Sequence, residues 1–191
     1  TLDLSGLLPE MVALRRGSTS AERVPIAMRD PDAEGFRYIP IYLPRDLPGL
    51  DLSDPRGISF THSTLGRSQT FLTQVSHLRC ARSADGIHFT VDDDPAIAPA
   101  TELEEFGCED PRATFLDGAW HITYVSVSRV GITASLAVTQ DFRTFERLGA
   151  MLPPDQKDLA LFPERKHGRH MALTRPIPSS FGHVLGIWIA H

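Results

Sequence analysis

The chain has 191 residues, 41% of them hydrophobic and 23% charged, with a formal net charge of -5 and a pI near 5.9. This composition gives enough apolar material for one sizeable core and excludes a disordered tail. The acidic balance has no basic run to set against it and no apolar stretch approaches the roughly 18 residues of a membrane span, so neither nucleic acid nor a membrane is an expected partner; without a signal peptide, cytoplasmic is the default location.

Residues 1–57 read as an irregular N-terminal segment. Seven prolines punctuate it (Pro9, Pro25, Pro31, Pro40, Pro44, Pro48 and Pro55), and one short helix fits at residues 9–16, where a proline in the first turn is tolerated. Extended connections are expected elsewhere in that segment. From Ile58 onward the apolar period becomes two, the mark of strands with one face buried. In residues 120–125 the large apolar side chains Trp120, Ile122 and Tyr124 fall on even positions, and Ile132, Ala134, Leu136 and Val138 alternate with small or polar residues. Asp117-Gly118 fits a tight hairpin turn, as do Asp85-Gly86 and, in an equivalent place, Asp141-Phe142. Trp120, Tyr124 and Trp188 lie inside strand patterns and are expected in the core. Cys80 and Cys108 are two thiols in a chain without a secretory signal, and are expected free.

One pattern occurs twice. Ala81-Arg82-Ser83-Ala84-Asp85-Gly86-Ile87-His88-Phe89 returns about 56 residues later as Ala137-Val138-Thr139-Gln140-Asp141-Phe142-Arg143-Thr144-Phe145, with Ala, a hydroxyl residue, Asp and a final Phe at the same offsets. A strand-rich unit of this length suits one blade of a β-propeller. A third copy would fall due just after His191, so residues 58–191 are expected to be the N-terminal blades of a longer all-β propeller whose remaining blades lie beyond them.

The chemistry of a propeller lies on loops at one end of its channel, and the best candidate is Gly107-Cys108-Glu109-Asp110-Pro111-Arg112. Pro111 is expected to push Asp110 out of the helical region into an extended conformation that aims its side chain. Two adjacent acids with an arginine two positions on make a carboxyl group tuned by its neighbours. The same residues also suit a plain Asp-Pro turn with a Glu109–Arg112 surface ion pair. The eight histidines show no His-Glu-x-x-His spacing, so no metal is expected.

At this point the chain resembles glycoside hydrolase family 130. The resemblance rests on Ser76-His77-Leu78, the Ala81 to Phe89 segment, Gly107-x-Glu109-Asp110-Pro111-Arg112, and Thr139-x-Asp141-Phe142-x-x-Phe145-Glu146-Arg147-Leu148-Gly149. It continues through Pro153-Pro154-x-x-Lys157-Asp158-x-Ala160-Leu161-Phe162-Pro163-Glu164, Arg175-Pro176 and Ile187-Trp188-Ile189. It implies a five-bladed β-propeller that cleaves β-mannosides, mostly by phosphorolysis with inversion to α-mannose 1-phosphate and in a minority by hydrolysis. Five units of about 56 residues need roughly 280 residues, more than are present, and a fragment lacking the other blades is expected to be inactive. The family's general acid falls on Asp110. A lone acid suits a phosphorylase, because phosphate replaces the base and the water of an inverting hydrolase. Phosphate-binding positions fall on Lys157 and Arg129, with solvated loop cations as the plain alternative. Glu109, Arg112, His77, Asp158 and Arg175 are the implied substrate-binding residues; a structural pairing suits Arg175 equally, and a satisfied sheet histidine suits His77. No cofactor is implied beyond phosphate as co-substrate, and the expected partners are a β-mannoside oligosaccharide and phosphate, with a homo-oligomer compatible. A β-mannoside hydrolase and a non-catalytic carbohydrate-binding propeller are the alternatives.

Overall fold

The computed structural model of the protein describes residues 23–30, 32–33, 37–54, 57–72, 75–177 and 186–191. The chain forms two compact units, Thr1–Val75 and Ser76–His191. The helix expected at residues 9–16 lies outside the described residues.

In the first unit, strands β1 (Arg23–Arg29) and β2 (Tyr38–Pro44) form an antiparallel hairpin, and β3 (Leu50–Asp51), β4 (Gly57–Thr61) and β5 (Ser68–Leu72) form a three-stranded sheet in the order β3-β4-β5. Paired strands therefore begin well before residue 58, where extended connections with one short helix were expected. The proline count misleads because Pro25, Pro40 and Pro44 all fall in alternate pairs of the β1–β2 ladder (Pro25↔Tyr42, Ala27↔Pro40, Arg23↔Pro44). Alternate pairs can dispense with inter-strand bonds, and proline is tolerated there in an edge strand. The other parity carries Val24 and Ile26, which are buried with Ile58 against Ile41, Leu43, Leu50, Leu52 and Phe71. That shared cluster is why β4 and β5 belong with the segment before them and the boundary falls at Val75.

The second unit contains a two-stranded ribbon of β6 (Ala81–Arg82) and β7 (Thr90–Val91), then a 3-10 turn at Glu102–Glu104. A four-stranded antiparallel meander follows: β8 (Gly107–Leu116), β9 (Ala119–Ser128), β10 (Gly131–Thr139) and β11 (Glu146–Ala150), in the sheet order β11-β10-β9-β8. Strands β12 (Gln156–Leu161), β13 (Ala172–Pro176) and β14 (Trp188–Ala190) form the next sheet in simple sequence order. Among the described residues there is no α-helix.

The meander is covered on both faces. On one, Ile122, Tyr124, Ala137, Cys108 and Ile97 are buried together, with Leu78, Trp120, Phe142 and Phe145 packed around them. On the other, Ala134 packs with Leu159 and Ala172 of the following sheet. Trp120 and Tyr124 thus occupy the core as expected, whereas Trp188, on β14, is 62% exposed. Cys80 and Cys108 are both free. Burial, with the charge of Glu104 second, pushes the Cys108 thiol up to about 12.

Asp117-Gly118 makes the tight turn between β8 and β9, with both residues at positive φ (51° and 83°), as an Asp-Gly hairpin requires. The two copies of the repeated motif instead make longer loops, each built around its aspartate. Asp85 Oδ1 accepts the backbone N–H groups of Ile87 (2.9 Å) and His88 (2.8 Å), and Asp141 Oδ1 accepts those of Arg143 and Thr144 (both 2.8 Å). The preceding hydroxyl accepts two more N–H groups: those of Asp85 (3.2 Å) and Gly86 (2.8 Å) at Ser83 Oγ, and those of Asp141 (3.3 Å) and Phe142 (2.9 Å) at Thr139 Oγ1. This shared bonding explains why the hydroxyl and the aspartate recur at fixed offsets. The backbone N–H groups of Thr144 and Arg143 lower the Asp141 carboxyl to about 2.

Candidate active site

Strands β8 and β12 of the second unit, each at the end of its sheet, carry a one-residue bulge apiece. In the β8–β9 ladder the pairing steps from Glu109↔Val125 to Arg112↔Thr123, and in β12–β13 from Lys157↔Arg175 to Ala160↔Leu173. The first residue after the last regular pair is an aspartate in both, and both adopt the left-handed conformation: Asp110 at φ 47° and Asp158 at φ 56°. Aspartate is one of the few residues that enters this region at modest cost, and bulges re-aim side chains next to sites. Asp110 is therefore not extended, as Pro111 led one to expect. The proline keeps it from the right-handed helical region, and the extra residue of the bulge turns it left-handed.

The bulges bring five predicted residues together. Lys157 Nζ lies 3.6 Å from Asp110 Oδ2. Asp158 divides its carboxylate between two arginines: Oδ2 is 2.8 Å from Arg175 Nη2, and Oδ1 is 3.8 Å from Arg112 Nη2. Asp158 is 19% exposed and Asp110 is 52% exposed, so the first serves as a partly covered anchor for two guanidinium groups while the second faces solvent beside an ammonium. Arg112 is bound to Asp158 rather than to Glu109. Three cations against two carboxylates leave a local excess of one positive charge, and forked guanidinium donors beside a lysine are what an oxyanion such as phosphate requires.

Glu109 is held from the other side. Ser76 Oγ donates to Glu109 Oε1 at 2.6 Å, and Ser76 forms a parallel bridge with Gly107, whose neighbour Cys108 donates its N–H to Ser76 O at 2.9 Å. Gly107 stands at φ 137°, and a Cβ there would come within 2.5 Å of Ser76 Oγ and 2.7 Å of Ser76 N, so only glycine permits this approach. Ser76 was passed over in the sequence, although it opens the Ser-His-Leu segment. His77 is fixed along the backbone between the Ser76–Gly107 and Leu78–Ile97 bridges; no ion pair among the described residues joins it to the cluster.

Arg129 sits in the β9–β10 turn and is committed to Glu105. Its Nε donates to Glu105 Oε2 at 2.7 Å, and its Nη2 pairs with Oε1 of the same carboxylate. Glu105 is buried, and this pair raises the Arg129 pKa, chiefly through the side-chain hydrogen bond. The same turn abuts the start of β12: a Cβ on Gly131 would meet Asp155 Oδ1 at 2.5 Å. Arg129 thus lies outside the ion-pair cluster of Lys157.

Residues 67–187 match the sequence profile of glycoside hydrolase family 130, described as beta-1,4-mannooligosaccharide phosphorylase. The chain is 41% identical over 145 residues to a beta-1,2-mannobiose phosphorylase of Listeria innocua, a match covering 76% of this chain and 40% of that protein. It is 34% identical over 119 residues to a 1,2-beta-oligomannan phosphorylase of Thermoanaerobacter, covering 61% of this chain and 38% of that one. The solved structure of the Listeria innocua beta-1,2-mannobiose phosphorylase in complex with beta-1,2-mannobiose superimposes with a TM-score of 0.77 at 34% identity, over 90% of this chain and 47% of that one. The chain thus spans about 40% of the length of these two curated relatives.

Proposed function

Since the chain belongs to glycoside hydrolase family 130, whose solved members are five-bladed β-propellers, we propose that the protein of which it forms part is an inverting β-mannoside phosphorylase. The observation that carries this reading is the placement of a solvent-facing carboxyl, Asp110, 3.6 Å from a lysine beside two carboxylate-anchored arginines. Acid and anion-holding cations then stand side by side, which is the minimum set for phosphorolysis.

In the proposed reaction a phosphate oxygen attacks the anomeric carbon of the mannosyl unit from the face opposite the leaving sugar. The bond to the glycosidic oxygen breaks, that oxygen takes a proton from a hydroxyl of the bound mannosyl unit, which Asp110 reprotonates, and the products are α-mannose 1-phosphate and the shortened sugar. The proton released from phosphate restores the acid. Lys157, Arg175 and Arg112 hold phosphate, Asp158 sets the two guanidinium groups in place, and Arg129, paired with Glu105, is a further phosphate-binding candidate. Glu109 and His77 face the sugar hydroxyls. No cofactor takes part beyond phosphate as co-substrate. The two relatives at 41% and 34% identity are both named for β-1,2-linked mannosides, which favours that linkage over the β-1,4 linkage in the family's description.

The test is product analysis with the full-length protein on β-1,2-mannobiose. Mannose 1-phosphate formed only when phosphate is present is the expected result. Free mannose formed without phosphate would make the protein a hydrolase, and no turnover of any β-mannoside would favour a binding propeller.

A further inference from the structure

The geometry points to Thr123 as a positioning residue for the proposed phosphorolysis: its hydroxyl fastens the bulge that carries Lys157 and Asp158 to the bulge that carries Asp110 and Arg112. This inference rests on the phosphorylase reading of the same site and concerns how its two halves are kept in register.

Thr123 lies on β9 and is 2% exposed. It is the ladder partner of Arg112, the residue at which regular pairing resumes after the first bulge. Its Oγ1 donates to the carbonyl of Leu159 at 2.5 Å, and Leu159 lies inside the second bulge, directly after Asp158. The carbonyl of Arg112 is 3.5 Å from the same oxygen. A hydroxyl has one proton to give, so the short bond goes to Leu159 and the Arg112 carbonyl is at most a second, weaker acceptor. One buried side chain therefore stands between the backbones of both bulges, at the point where each has left its regular ladder.

The consequence is mechanical. Asp110 and Asp158 are held in the left-handed region only while the bulges keep their place, and the 3.6 Å approach of Lys157 to Asp110 depends on the height of β12 against β8. Misplacement of about 1 Å at a reacting centre costs on the order of 100-fold in rate. A second threonine offers an internal comparison. Thr114 Oγ1 donates to the carbonyl of Leu161 at 3.3 Å, joining the same two sheets two residues further along β12, beyond the bulge. A bond that only glues sheets together would serve equally well at either place.

The experiment measures kcat and the KM for phosphate separately, in the full-length protein, for wild type, Thr123→Val, Thr123→Ser and Thr114→Val. Thr123→Val is expected to lower kcat/KM for phosphate by about tenfold or more, Thr123→Ser to stay within about twofold of wild type, and Thr114→Val to leave both constants unchanged. Thr123→Ala carries the same expectation as the valine variant and replaces it if valine prevents folding. Wild-type kinetics in Thr123→Val, an equal loss in Thr114→Val, or a serine variant as impaired as valine would each overturn the inference. A wild-type protein that forms no mannose 1-phosphate would instead sink the phosphorylase reading, and this inference with it.

Discussion

Asp110→Asn in the full-length protein is expected to lower kcat for phosphorolysis of β-1,2-mannobiose by about 1000-fold, the usual scale for loss of a positioned general acid. Asparagine keeps the shape of the side chain and tolerates the left-handed conformation at φ 47°, so the bulge survives. On the proposed mechanism, what is lost is the proton for the glycosidic oxygen. Stability should hardly change, because Asp110 is 52% exposed and its ion pair with Lys157 spans 3.6 Å, a contact worth at most about 1 kcal/mol. Steady-state kinetics beside a melting curve check this. A variant that keeps more than about a tenth of the wild-type rate would remove Asp110 from the role of acid.

The largest structural effect is expected at Arg147, away from the reacting groups. Its guanidinium reaches the carboxylate of Glu104 and donates to the carbonyl of Ala98 at 2.5 Å, while Tyr124 donates its hydroxyl to Glu104 Oε1 at 2.8 Å. Glu104 is 2% exposed and also accepts the N–H groups of Ala100 (2.9 Å) and Thr101 (3.1 Å), so this one carboxylate organises the turn that leads into β8. Burial and then the charge of Glu104 raise the pKa of Tyr124 well above the usual tyrosine value. Arg147→Ala would strand a buried charge, at a cost of about 3 kcal/mol, and lower Tm by roughly 6–12 °C. Adding Glu104→Gln to that variant removes the stranded charge and should recover part of the loss. Thermal unfolding of the single and double variants decides it, and an unchanged Tm in Arg147→Ala would mean that the network does not support the meander.

Much of this was legible in the sequence because it depends on local rules. The alternation Trp120, Ile122, Tyr124 marks a strand, although β9 is buried on both faces, and Asp117-Gly118 announces its own turn. The paired hydroxyl and aspartate of the repeat are visible because each copy closes its loop with the same short-range hydrogen bonds. Lys157, Asp158 and Arg175 stand out only through the family resemblance, since nothing in their own neighbourhood says that they meet Asp110 and Arg112 across two sheets. Long-range pairing of that kind depends on register. The bulges themselves left no turn residue or proline signal common to both, although Glu109-Asp110 and Lys157-Asp158 share a charged residue followed by an aspartate. Ser76 and Thr123 were missed for the same reason. A serine or threonine in a strand is ordinary until its hydroxyl is seen to bond to a carboxylate or a bulged carbonyl. The strands before residue 58 were hidden by their prolines, whose shared parity appears only once the β1–β2 ladder is known.

The most direct test of the site is the phosphate dependence of Lys157→Ala in the full-length protein. If Lys157 holds phosphate beside Asp110, the KM for phosphate rises roughly 10- to 100-fold, the scale of a lost hydrogen bond to a charged group, while the KM for the mannoside changes far less. A phosphate KM equal to that of the wild type would contradict the assignment and leave Asp110 without its neighbouring anion site.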